Sequence, residues 1–171
     1  MSKRRILTIS FWASAFLFTA MSACFLLMPL IVNGVNSTRA GVIALGVSFW
    51  VCTLLGYCSV IIGSAVRKQI CKKERIRING RPGVISFISN IPALLFDAGL
   101  LVSIVLLVVT LLTSMRETYF AYVSIALTVF FLHMHALFNG KNYHIISRIQ
   151  KRSGKYRLSV NSWGRDKNAN N

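Results

Sequence analysis

The sequence predicts an all-α integral membrane protein whose four transmembrane helices form two antiparallel hairpins. Hydrophobic residues make up 54% of the 171-residue chain, and charged residues only 14%. Soluble domains average about 45–50% apolar and about 25% charged residues. The apolar residues also fall into four long runs, each able to cross a hydrocarbon layer about 30 Å thick. We expect one transmembrane domain over residues 1–160, followed by a disordered polar tail at 161–171.

The predicted spans follow these four runs. They cover residues 6–32, 41–66, 93–114 and 119–140. The first run begins after three basic residues, as a signal peptide does, but the apolar region of a signal peptide is only about 7–15 residues long. Residues 21–24 resemble a lipoprotein cleavage box, yet the chain stays apolar through Val32. We therefore expect the first run to be a retained helix.

The third apolar run needs a break. Residues 84–114 would form a helix about 46 Å long, well beyond the hydrocarbon thickness. Pro92 permits a bend, so we expect an interfacial amphipathic segment at 84–91, before the third span. Its helical pattern places four apolar side chains on one face: Val84, Phe87, Ile88 and Ile91.

The distribution of Lys and Arg predicts the orientation. The N-terminal segment holds three, the central loop at 67–83 holds seven and the chain after span four holds eight, whereas each of the two other links holds one. Short loops rich in Lys and Arg stay in the cytoplasm. We therefore expect a multi-pass protein of the cell membrane with both termini in the cytoplasm.

The basic segments also predict contacts with anionic lipids at the cytoplasmic face. In the segment 141–160, Ile145, Ile146 and Ile149 line one side of a helix, which indicates an amphipathic helix on the membrane surface. The candidate lipid contacts are Arg67, Lys68, Lys72, Lys73, Arg75, Arg77, Arg81, Arg148, Lys151 and Arg152. The net charge of +16 would also suit nucleic acid, but the charges flank apolar runs, so we expect no nucleic-acid partner.

Three residues inside the spans can carry charge near neutral pH: Asp97, His133 and His135. A carboxylate at a helix centre costs roughly 2.5–3.5 kcal/mol on insertion scales, so Asp97 should face protein or water. It lies about 6 Å inside the cytoplasmic end of span three. In span four, His135 lies about 7 Å and His133 about 10 Å inside the same end. Depth therefore favours His135 as the partner of Asp97.

The three side chains allow two interpretations. The histidines stand about 200° apart on the helix, so they cannot both face Asp97 or easily share a metal ion. A functional cluster would respond to protons or form part of a cation path. A structural cluster would be a polar clasp between spans three and four, with one histidine reaching toward water.

The sequence contains no motif of a known enzyme class. It lacks GxSxG, HExxH, GxxxxGK[ST] and GxGxxG, and it has only four acidic residues in all. The cysteines form no CxxC and have no zinc-ligand spacing; they are Cys24, Cys52, Cys58 and Cys71. We expect a protein that is not an enzyme and that holds no cofactor, metal or disulfide framework.

Three functions stay open on this pattern. The first is a non-catalytic component, of the accessory or immunity type, that binds another membrane protein. The second is a small homo-oligomeric transporter or channel component that uses Asp97 and a histidine of span four for protons or cations. The third is an intramembrane enzyme on a lipid, with the basic segments holding the headgroup. Few polar groups lie in the spans, which favours the first.

Overall fold

The computed structural model describes residues 2–32, 38–74, 87–113 and 119–149. This part of the chain contains helices and no strand. Its four long helices are α1 (Lys3–Val32), α2 (Arg39–Glu74), α3 (Ile91–Leu112) and α4 (Tyr119–Phe138), and a further helical stretch covers residues 141–149. All four are long and apolar enough to cross a membrane, which suggests a multi-pass membrane protein.

Helix α2 is longer than the sequence pattern predicted. It runs for 36 residues, to Glu74, so the first eight residues of the predicted loop at 67–83 are helical. Lys and Arg are good helix formers, and the charges of Lys72 and Lys73 in the last turn interact favourably with the negative end of the helix dipole. The prediction of a loop from residue 67 is therefore wrong up to residue 74, and the remainder of the loop lies outside the described residues.

The four helices pack in the order α2, α1, α4, α3. The close pairs are α1 with α2, α1 with α4, and α3 with α4. About 33% of the most apolar part of α1 and of α4 is buried, against 22% for α3 and 6% for α2. Helices α1 and α4 therefore form the centre, and α2 and α3 lie on its two sides.

Contacts within each close pair run in opposite order along the two helices. On α1, Ser10 lies against Gly63 of α2, and Phe18 lies against Gly56. The same order holds between α3 and α4, where the Thr110 hydroxyl lies 3.0 Å from that of Ser124 and the Thr128 hydroxyl donates to the Ser103 carbonyl at 3.2 Å.

The helical stretch at 141–149 belongs to the core. Its Ile145 and Ile146 are 1% and 4% exposed, and they join the cluster built on Leu7, Phe11 and Phe138. The expectation that this apolar face contacts the membrane is therefore wrong for Ile145 and Ile146, because they pack on the protein's own helices. Residues 150–160 of that predicted helix lie outside the described residues.

The segment before α3 is a turn and not a helix. Asn90 caps α3, accepting the Ala93 N–H at 2.9 Å, and Pro92 sits in the first turn, where its missing N–H costs nothing. Residues 88–90 are bent, so the helical pattern expected of the interfacial amphipathic segment at 84–91 is wrong for these residues. Residues 84–86 lie outside the described residues.

Candidate functional site

Asp97 is the centre of a buried polar cluster near the start of α3. It is 3% exposed, and its two carboxylate oxygens accept three hydrogen bonds. Oδ1 accepts from Nδ1 of His135 at 2.6 Å and from Nδ2 of Asn139 at 2.7 Å. Oδ2 accepts the backbone N–H of Ile88 at 2.6 Å. Because a carboxylate only accepts, Nδ1 of His135 carries a proton in this contact.

Asn139 extends the cluster from Asp97 to the turn before α3. Its Oδ1 accepts the Ser89 N–H at 3.2 Å and the Ser89 hydroxyl at 2.5 Å, while its amide nitrogen donates to Asp97. Asn90 adds a second link, donating from Nδ2 to the Phe138 carbonyl at 2.9 Å. The last turn of α4 therefore holds both the carboxylate of α3 and the residues that precede α3.

The turn held by this cluster is strained. Ile88 has a φ of 54°, in the left-handed region that β-branched residues rarely adopt. Its N–H points at Asp97, so the short hydrogen bond offsets part of the cost, which is of order 1–3 kcal/mol for such a conformation. We call the group formed by Asp97, His135, Asn139 and the turn 87–90 the α3 clasp.

His135 closes one side of the α3 clasp. Its side chain is 1% exposed, and the ring centroid lies 4.6 Å from that of Phe87. The structure thus brings His135 and Asp97 together, as their depth indicated. It does not place His133 in the same cluster.

His133 faces the opposite side of α4, toward α1 and α2. Its Nδ1 lies 2.7 Å from the Val129 carbonyl, and because a carbonyl only accepts, Nδ1 is the donor. Its Nε2 lies 2.9 Å from the Tyr57 hydroxyl, and its ring lies 4.4 Å from that of Phe18. Both ring nitrogens therefore have partners within the protein.

Five of the ten basic residues proposed as lipid contacts lie in the described part of the chain, on two helical segments. Four of them lie on the last turns of α2 (Arg67, Lys68, Lys72 and Lys73), and Arg148 lies on the 141–149 stretch. The others, Arg75, Arg77, Arg81, Lys151 and Arg152, lie outside the described residues. Glu74, one of the described acidic residues, forms an ion pair with Arg4, with 2.8 Å between its Oε1 and the Arg4 Nη2.

Sequence reasoning missed Asn139, Ser89 and Ile88 as members of the clasp. A signal for Asn139 was present, since it follows His135 by four residues and so lies on the same helix face. Ser89 and Ile88 gave no such signal, because their role depends on how the turn folds back on α4. In the described part of the chain, no group of three metal-ligating residues could hold an ion.

Comparison of the chain with protein-family models, with curated proteins and with solved structures finds no match.

Proposed function

We propose that the chain crosses the cell membrane four times as two antiparallel hairpins, with both termini in the cytoplasm. The opposed order of contacts in the pairs α1–α2 and α3–α4 supports the hairpins. The concentration of Lys and Arg near the termini and in the central segment supports the orientation.

Cysteine labelling of intact cells tests this topology in a variant without the four native cysteines. We expect Thr38→Cys, at the start of α2, to react with a membrane-impermeant maleimide. Lys72→Cys and Arg148→Cys should react only after the membrane is opened. Both residues are exposed on the structure, so a lack of reaction would reflect the membrane and not burial. Labelling of Lys72→Cys in intact cells would contradict the orientation.

We propose further that the protein acts by binding another membrane protein, as an accessory or immunity-type component, and not by catalysis or transport. The observation that supports this proposal is the enclosure of Asp97. Both carboxylate oxygens are satisfied by protein donors, and the side chain is 4% exposed. A carboxylate in a cation or proton path needs access to water or to the ion, and this geometry favours a structural clasp.

The clasp also defines a candidate contact surface. It holds the apolar turn that precedes α3 in one conformation. There, Phe87 is 54%, Ile88 68% and Ile91 82% exposed. A strained backbone persists only where the surroundings impose it, and such sites are often functional. A rigid apolar turn loses little conformational entropy on association, so it is well suited to contact a partner.

Co-purification in mild detergent tests the binding proposal. We expect a stoichiometric partner with the wild-type chain and at least a tenfold loss of it with Ile88→Ser and Ile91→Ser combined. The matched control is Leu111→Ser with Leu112→Ser, at the far end of the same helix, where Leu112 is also 82% exposed. Equal loss with both pairs would contradict a role for the turn.

The alternative of a transporter or channel component makes a different prediction in the same experiment. It requires a homo-oligomer, so two differently tagged copies should co-purify and no other protein should be stoichiometric. The same preparation, reconstituted into vesicles, should then carry a proton or cation flux that Asp97→Asn abolishes. The enzyme alternative requires turnover of a lipid by the purified chain.

A further inference from the structure

A cleft between α2 and α4 lies on the side of the molecule opposite the α3 clasp. It consists of two adjoining cavities, of about 320 Å³ and about 280 Å³. Val60 of α2 and Ala136 and Leu137 of α4 line both of them. The two cavities differ in chemistry, and this difference gives the cleft a polar end and an apolar end.

The polar end is lined by two cations, Arg67 of α2 and Lys141, which begins the helical stretch after α4. Ser64 and Asn142 line it too. Within the described residues, neither cation has an ion pair, since Glu74 is taken by Arg4 and Asp97 by His135. Asn142 is 9% exposed, and its Oδ1 is buried with no hydrogen-bond partner among those residues. The two cations without an ion pair therefore give this end unused capacity for an anionic group.

The apolar end extends along α4 toward the middle of that helix. Phe18, Tyr57, Leu132 and His133 line it. The Tyr57 hydroxyl is hydrogen-bonded to Nε2 of His133. Nδ1 of the same histidine is hydrogen-bonded to the Val129 carbonyl. The surface that remains suits a hydrocarbon chain, because the polar groups there already have partners.

We propose that this cleft binds one anionic phospholipid. Its phosphate lies between Arg67 and Lys141, and part of an acyl chain lies along Val60, Ala136 and Leu137 toward the Tyr57–His133 pair. Two cations at the end of an apolar groove match a molecule with one anionic head and an apolar body. The proposal is independent of the partner proposed above, and it is more specific than the attraction of a basic surface for anionic membranes.

Native mass spectrometry of the delipidated full chain tests the site, with phosphatidylglycerol and phosphatidylcholine of identical acyl chains as probes. We expect Arg67→Gln with Lys141→Gln to weaken phosphatidylglycerol binding roughly thirtyfold, since each basic residue near an anionic lipid is worth about fivefold. The matched control is Lys68→Gln with Arg148→Gln, which removes one exposed cation from each of the same two segments. Neither residue lines the cleft, so as general contacts with anionic lipid they should weaken phosphatidylglycerol binding several-fold less than the Arg67 and Lys141 pair does. Equal weakening by both pairs would show general surface attraction and overturn the site.

Two further measurements separate the cleft from other anion sites. Ala136→Leu fills the wall shared by the two cavities and keeps every charge, so it should weaken phosphatidylglycerol binding at least tenfold. Unchanged binding would overturn the acyl-chain part of the proposal. Glycerol 3-phosphate, which has the phosphate without acyl chains, should bind at least a hundredfold more weakly, and equal binding would assign the site to a free phosphate compound. Unfolding temperatures of all variants in detergent establish that they are folded.

Discussion

Replacing Asp97 by alanine is expected to lower the free energy of unfolding by about 4 kcal/mol, because it removes the acceptor from a buried charge-assisted network. Three donors lose the carboxylate at once: the Ile88 N–H, Nδ1 of His135 and the Asn139 amide. Leaving buried polar groups unsatisfied costs about 1–3 kcal/mol each. Reversible unfolding of the purified chain in mixed micelles, with increasing sodium dodecyl sulfate, measures the change.

Two variants calibrate this prediction. Asp97→Asn keeps one acceptor oxygen and should lose about half as much stability as the alanine variant. Ser103→Ala removes an equally buried polar group of α3, but its hydroxyl bonds only the Leu100 carbonyl of its own helix, at 2.9 Å, so it should cost less than about 1 kcal/mol. If Asp97→Ala were no worse than Ser103→Ala, the clasp would not hold the turn.

The second large effect concerns Gly56 of α2, which packs against the ring of Phe18 on α1. A Cβ at this position would lie 2.8 Å from a ring carbon of Phe18. Phe18 is 2% exposed, and its ring contacts both Tyr57 and His133, so moving the ring aside would disturb these contacts. We expect Gly56→Ala to cost about 2 kcal/mol through overpacking, measured by the same unfolding method.

Gly46→Ala is the matched control, because Gly46 lies on the same helix and a Cβ there meets only Met28, at 4.0 Å. Alanine is a better helix former than glycine by about 1 kcal/mol, so this variant should be neutral or more stable. Both substitutions replace glycine with alanine, yet their effects on the free energy of unfolding should have opposite signs. A loss of stability with both would mean that backbone effects, and not the contact with Phe18, dominate.

The four helices could be predicted from the sequence because the length of an apolar run is a local property. Their ends were less predictable, as α2 shows. The basic residues from Arg67 onward predict a membrane border, but Lys and Arg do not end a helix. The expected membrane border and the helix end are therefore different positions in α2, and charge predicts only the first.

The candidate site was predictable in part, for a similar reason. The depth of Asp97 and His135 along antiparallel helices follows from residue counts and the helical rise, so their proximity could be inferred. The strained φ of Ile88 depends on a hydrogen bond across nine residues, and no local pattern encodes it. Likewise, Ile145 and Ile146 show an apolar face, but only the tertiary packing reveals that this face covers Phe11 and Phe138 and not lipid.

The central position of α1 and α4 has a consequence for the order of events during synthesis. Phe11 of α1 packs edge-on against Phe138, with centroids 5.2 Å apart, and against Tyr143, although more than 120 residues separate them in the chain. Domains made on the ribosome fold from the N-terminus as the chain emerges. The first helix must therefore wait for the last one to be made, with only α2 beside it. Until then, the face of α1 that holds Phe11 is open to any other helix in the same membrane.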